Sequence, residues 1–195
     1  MIHMRRLIVD SIISLDGYFT GPNNEIDWFE FDDDEQAWSI DINQRVDTMI
    51  YGRVTYEEFR QFWPTPEANV SGFDPYIVRQ LNELPKVVFS KSLKDALWKP
   101  STIVRESPIE VIPKMKNQPG KDMVIVGSGS LVAALAREGL IDEYRIRIRP
   151  IILGSGRLLF EDRNHRHALK FVSVKSFKSG VVGLHYEPLT EKLAK

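Results

Sequence analysis

VIVGSGSLVAAL, Val124 to Leu135, is the stretch on which the reading of this chain turns. Apolar residues run into Gly127-Ser128-Gly129-Ser130, and an Ala-rich apolar segment follows. That order spells strand, tight turn and helix. Glycine lets a backbone approach an anion, and a following helix offers unpaired N–H groups at the positive end of its dipole. Ser128 and Ser130 add hydroxyls. The same residues equally describe a turn capped by Ser130 or Gly129, and the stretch alone leaves both readings open. It does not complete a Gly-x-Gly-x-x-Gly fingerprint, because Val132 stands at the third glycine position. No Lys-Ser/Thr pair follows, which excludes a Walker-type loop. Gly127-Ser128-Gly129 is also one residue too short for a nucleophile elbow.

Two further polar turns follow apolar strands upstream. The strand Asp47–Gly52 leads into Arg53-Val54-Thr55, and the strand 86–90 ends in Ser90-Lys91-Ser92. If the strands are parallel neighbours, the three turns line one edge of a sheet, where α/β folds bind ligands. Between and around them the pattern predicts a first strand at Arg6–Ser14, a turn-rich loop at Leu15–Trp28 and a helix at Asp34–Arg45 capped from Asp32–Asp34. A helix at Thr55–Phe62 has a capping box in Thr55 and Glu58. A Pro-containing surface loop at Phe62–Pro75 and a helix at Pro75–Leu84 come next. Downstream are a strand at 101–106, a helix at Pro108–Lys116, a strand at 122–127, a helix at Ser130–Glu138 and a strand at 141–152. A terminal hairpin turns at Ser179-Gly180. Alternating strands and helices imply parallel crossovers. The expected fold is a single three-layer α/β domain over residues 1–195, its sheet mixed but mostly parallel and closed by an antiparallel C-terminal hairpin.

The 195 residues suit one domain, and 43% hydrophobic with 27% charged residues is ordinary for a soluble protein. A net charge of -1 provides no field for nucleic acid or an anionic membrane. With no cysteine, disulfides, thiol nucleophiles and Cys-ligated metals are excluded, and a reducing cytoplasm is the expected location. The N-terminus lacks the features of a signal peptide, and no apolar run reaches the ~20 residues of a membrane helix.

Other candidates each have a plain structural reading. Arg53 beside a helix start is a phosphate contact or a surface partner of Glu57. Asp16, in Ser14-Leu15-Asp16-Gly17, is an acid beside aromatics or a turn-forming Asp-Gly. Trp28 either borders a heterocycle or packs in the core. The acids Asp32 to Glu35 fit capping better than metal binding, and His165 and His167 lack a third ligand. No metal is expected.

Taken together, SLDGYF, MIYGRVTYEEF, KVVFSKSL and MVIVGSGSLVAALAREGLIDEYRIRIRPIILGSGRLLF resemble the dihydrofolate-reductase-like fold. They are closest to the reductase domain of bacterial riboflavin biosynthesis and its stand-alone relatives. The resemblance implies NADPH across the strand ends. Gly52, Arg53 and Thr55 would meet its phosphates, Ser90, Lys91 and Ser92 the adenosine end and 2′-phosphate, and Gly127, Ser128, Gly129, Ser130 and Leu131 the pyrophosphate. Asp16, Gly17 and Trp28 would lie near the nicotinamide and substrate, with Asp16 and Trp28 as the catalytic candidates. Asp33 or Asp34 falls near the catalytic acid of true dihydrofolate reductases. Those enzymes carry a cis peptide between paired glycines. This chain has Ser128 there, and a cis bond at a non-proline residue costs about 3 kcal/mol. The bifunctional riboflavin enzyme's zinc deaminase half has no counterpart here.

The implied activity is an NADPH-dependent reduction of a small pyrimidine- or pterin-like heterocycle, with a non-catalytic nucleotide or small-molecule binding module as the alternative. The resemblance also implies a homodimer, for which the apolar stretch IRPIILGSGRLLF is a candidate contact.

Overall fold

The computed structural model describes residues 4–29, 31–161 and 165–189. In chain order its strands are β1 (Leu7–Ser14), β2 (Tyr18–Thr20), β3 (Val46–Gly52), β4 (Lys86–Phe89), β5 (Ser101–Val104), β6 (Asp122–Val126), β7 (Glu143–Arg149), β8 (Arg157–Leu158), β9 (Leu169–Ser176) and β10 (Val182–Pro188). The helices are α1 (Asp33–Arg45), α2 (Arg53–Phe59), α3 (Pro75–Glu83), α4 (Pro108–Lys116) and α5 (Gly129–Arg137), with a 3-10 turn at Pro66–Val70.

β1 is buried along all eight residues, as an apolar strand covered on both faces must be. It lies inside an eight-stranded sheet of order β5-β4-β3-β6-β1-β7-β10-β9. The first six strands run parallel, and β10 and β9 complete the sheet antiparallel. β2 and β8 form a separate small antiparallel pair. One sheet face packs Val9, Ile50 and Ile125 against Ile112 of α4 and Val132 and Leu135 of α5. The other packs Ile8, Tyr51 and Val124 against Ile42 of α1, Tyr56 of α2 and Ile77 of α3. The three-layer mixed α/β architecture is the one expected.

Local readings differ in instructive ways. α2 begins at Arg53, two residues early, so Thr55 is buried inside it and the capping box is not made. The segment 62–75 runs along the surface, with Pro64, Glu67, Val70 and Gly72 exposed, but it includes a 3-10 turn and brings Phe62, Trp63 and Phe73 together as half-buried rings. The loop after β1 includes β2, and the strand expected at 141–152 contracts to β7.

α1 is held on the sheet by charge as well as by Trp38 and Ile42. Along β7, Glu143, Arg145, Arg147 and Arg149 occupy alternate positions. Arg45 contacts Glu143 at 2.8 Å, the Arg145 guanidinium lies 4.9 Å from the Trp38 ring, Arg147 donates to Ser39 at 2.8 Å, and Arg149 to Glu35 at 2.9 Å. Glu143 is fully buried and is also reached by Arg6 at 3.2 Å and Arg145 at 2.6 Å. Burial alone raises a carboxyl's pKa, but Arg45 and Arg145 outweigh it and bring Glu143 down to about 2.

Candidate functional site

The strand order puts β4, β3 and β6 side by side, so the turns after Phe89, Gly52 and Val126 adjoin at the carboxyl edge. Two of them are stitched together. Ser128 Oγ accepts from the Gly52 N–H at 2.9 Å and donates to Thr55 Oγ1 at 3.0 Å. This is what replaces the expected capping box. Gly127 and Ser128 are consecutive left-handed residues, with φ of 63° and 64°. A Cβ on Gly127 would press on Thr55 Cγ2 at 3.3 Å. The cis peptide among the described residues is at Lys99–Pro100, so the Gly127-Ser128-Gly129 bonds are trans. The turn reverses through positive φ instead, which Ser tolerates at a modest cost.

Ser128, not Ser130 or Gly129, is the N-cap of α5, and it makes no side-chain capping bond. The first N–H groups of the helix therefore have neither an intrahelical acceptor nor a cap. Gly129 serves packing: a Cβ there would lie 2.4 Å from the Leu158 carbonyl oxygen. Ser130 is exposed and Leu131 buried. At the third turn, Ser90 Oγ accepts from the N–H groups of Ser92 at 3.2 Å and Leu93 at 2.9 Å, with Lys91 exposed beside them. Arg105, just after β5, fastens this turn by donating to the carbonyls of Lys91 at 2.8 Å and Leu93 at 2.9 Å.

A cavity of about 800 Å³ opens beside the stitched turns on the α1 and α3 side of the sheet. Thr55 and Gly127 form part of its wall, and Phe31, Phe62, Trp63 and Phe73 form an aromatic side. Those rings touch in series, with centroids 5.1 Å apart for Phe31–Phe73, 4.9 Å for Trp63–Phe73 and 5.2 Å for Phe62–Trp63. Asp10 and Arg147 lie on the inner surface, paired at 3.2 Å. Burial raises the Asp10 carboxyl above its ordinary range, against the opposing pull of Arg147 and Arg145. Glu58 of α2 lines the same cavity, and burial raises its carboxyl although Arg157 lies 3.6 Å away.

The remaining sequence candidates stand apart from this space. Arg53 is held by Glu57 at 2.6 Å on the exposed side of α2, the surface-pair reading. Asp16 is not on the cavity wall. Its carboxylate accepts from Ser14 Oγ at 2.7 Å and from the N–H groups of Leu153 at 3.1 Å and Gly154 at 2.8 Å. The Ser14 bond holds it below the usual carboxylate range. Asp16 thus staples the loop after β1 to the loop after β7, while Gly17 turns the chain at φ 92°. Trp28 backs the cavity wall: its ring meets Phe29, a lining residue, edge-on at 4.3 Å. Asp33 and Asp34 are exposed on the first turn of α1, and Asp32 is its cap, accepting from Glu35 N at 2.8 Å. His165 and His167 are exposed, and among the described residues no group of three His, Cys, Asp or Glu could hold a metal.

Asp10, Glu58, Arg105 and Arg147 escape a reading that looks for turns. One signal was available: an Asp in the middle of LIVDSIIS, a run otherwise fit for full burial, demands a partner or a ligand.

The sequence model of the RibD C-terminal domain matches residues 5–183. Uncharacterized protein YyaP of Bacillus subtilis is 34% identical over 189 residues, covering 95% of this chain and 96% of its own. Among solved structures, a provisionally named riboflavin biosynthesis protein from Shewanella sp. PV-4 superposes with a TM-score of 0.72 at 20% identity, covering 94% of this chain and 99% of that one. A diaminohydroxyphosphoribosylaminopyrimidine deaminase/5-amino-6-(5-phosphoribosylamino)uracil reductase from Thermotoga maritima does so with a TM-score of 0.67 at 12% identity, covering 95% of this chain and 57% of that longer one.

Proposed function

The chain belongs to the RibD C-terminal domain family, and from that premise we propose that it is an NADPH-dependent reductase of a small pyrimidine- or pterin-like heterocycle. The observation that carries the reading is the adjacency of three polar turns on β4, β3 and β6 beside one large aromatic-walled cavity. NADPH, when bound, supplies the hydride. The donor set suits its phosphates: uncapped N–H groups at the start of α5, a glycine whose absent side chain leaves the turn open, and the exposed hydroxyl of Ser130, while the Ser128 hydroxyl is spent on Gly52 and Thr55. In this reading Gly127, Ser128, Ser130 and Leu131 hold the pyrophosphate, with Gly129 giving α5 its close approach to β8. Gly52 and Thr55 fix the neighbouring turn. Ser90, Lys91 and Ser92, steadied by Arg105, receive the adenosine end. Arg53 joins only by leaving Glu57, an exposed pair of small strength.

Asp16 and Trp28 act here as positioning residues, the first through the loop it staples and the second through Phe29. The aromatic side excludes water from a flat substrate. The reading extends to a cytoplasmic homodimer, supported by absent cysteines and by exposed Ile152, Phe160, Phe171 and Val174. Light scattering that returns a monomer at micromolar concentration removes the dimer. The test of activity is loss of NADPH absorbance on incubation with a panel of pteridines and pyrimidines. Turnover of at least one is expected. Cofactor binding with no turnover across the panel would instead support the non-catalytic binding module, which the structural use of Asp16 favours.

A further inference from the structure

Asp10, Ser11, Thr20 and Arg147 line the cavity, and each is at most 9% exposed. Buried polar groups are ordinarily satisfied within the protein. Here Ser11 Oγ, Thr20 Oγ1 and Arg147 Nε have no hydrogen-bond partner among the described residues. Among the described residues, the Asp10 carboxylate is met by Arg147 Nη2, at 3.3 and 3.2 Å from its two oxygens. A carboxylate has about four lone-pair positions, and charge-assisted bonds of this type usually close to about 2.7–2.9 Å. Asp10 is therefore held loosely, with acceptor capacity to spare.

Its place in the sheet matters as much. Asp10 pairs in register with Val126, the residue before Gly127, so it stands one strand from the stitched turn. Phe31 covers the other side, its ring 5.7 Å from the Arg147 guanidinium carbon. Arg147 balances the charge of Asp10, as Glu35 balances that of Arg149 at 2.9 Å. Glu25, Asp27 and Glu58 also line the cavity, with Arg147 the one cationic lining residue among those described, so nothing in it draws a free anion. What matches an acceptor beside a donor, under flat rings, is a neutral ligand edge that presents a donor beside an acceptor.

Resting on the reading of this cavity as the substrate site, we propose that Asp10 and Arg147 form its specificity-determining floor. They bind a flat heterocycle through a cyclic-amide edge, the ring N–H donating to Asp10 and the adjoining carbonyl oxygen accepting from Arg147. Arg147 also positions Asp10 and ties it to Ser39 of α1.

The test uses quinazolinedione, a neutral bicyclic ring with this edge, and its N,N-dimethyl derivative, which has the same rings without N–H groups. Both are titrated calorimetrically into the wild type and into Asp10→Asn. The wild type should prefer the unmethylated ring by about tenfold or more, the cost of a hydrogen bond to a charged group. Asp10→Asn should abolish the preference by weakening that ring alone. Failure of the wild type to bind quinazolinedione overturns the proposal. So does equal weakening of both probes in the variant, the signature of a residue that only docks α1. The wild-type comparison needs no variant, so absence of the preference is decisive even if Asp10→Asn fails to fold. Titrating NADPH into the same samples separates the two ideas. Cofactor binding without the amide preference sinks this proposal alone, and the preference without cofactor binding sinks the cofactor reading alone.

Discussion

Glu143 is met by Arg6, Arg45, Arg145 and His185, and replacing it by Gln offers a quantitative check on how α1 is held over the cavity. Its carboxyl is brought to about 2 from 4.5 in an unfolded chain. At about 1.4 kcal/mol per pH unit, that gap contributes roughly 3 kcal/mol at neutral pH. Arg6 and Arg45 are about a third exposed, at 31% and 32%, and screening by solvent trims the figure to roughly 2–3 kcal/mol. The group is an acid with a depressed value, so its stabilisation is complete above 4.5 and is lost as pH falls toward 2. About 1 kcal/mol should be gone by pH ~3.5. Glu143→Gln keeps the shape but leaves the arginines uncompensated, a change of the kind that costs about 3–5 kcal/mol in buried pairs. Urea unfolding of both proteins at neutral pH and near pH ~3.5 measures the difference directly. The wild type should lead by at least roughly 2 kcal/mol at neutral pH, and the lead should shrink in acid. A lead that is negligible, or that does not change with pH, refutes the view that the β7 charge row anchors α1.

Three other outcomes are expected. Ser128→Ala leaves the Gly52 N–H and Thr55 hydroxyl without their partner; stability should fall by roughly 1–2 kcal/mol in chemical unfolding, and NADPH affinity should fall with it. Arg53→Ala should weaken NADPH more than NADH in parallel titrations if Arg53 reads the 2′-phosphate, whereas equal losses move that role to Lys91 or elsewhere. Lys86 is buried over the Trp98 ring at 4.4 Å, and burial lowers its ammonium pKa from 10.5 to about 8. A base depressed in this way costs stability below pH 8 and is relieved between 8 and 10.5, so melting temperatures should show the wild type gaining on Lys86→Met over that range.

The fold was legible because its signals are periodic. Fully apolar runs separated by capped helices admit few arrangements, and GSGS does end a strand, at the carboxyl edge where β4, β3 and β6 adjoin. Boundaries slipped where tertiary bonds override local preference. Thr55 carries a capping-box spacing, but Ser128, distant in sequence, claims its hydroxyl. The segment 62–75 reads as a surface loop from Pro64, Pro66 and Gly72, and it does run along the surface, yet its half-buried Phe62, Trp63 and Phe73 rings join Phe31 through the Phe31–Phe73 contact, which no local window contains. Asp16 looked chemical from its neighbours, and only the returning loop at Leu153–Gly154 shows what its oxygens bind. Asp10 and Arg147 were hidden for the opposite reason: each sits within a strand, and their pairing exists only through the β1–β7 register.

The central claim is that the turns on β4, β3 and β6 cradle NADPH beside the aromatic cavity. Calorimetric titration of NADPH into the wild type and into Gly127→Val, whose side chain would crowd Thr55 and strain a φ of 63°, tests it most directly. The account predicts micromolar-range binding to the wild type and a marked loss in a variant that still folds. A wild type that takes up no NADPH at millimolar concentration, or a folded variant that binds it unchanged, contradicts the account.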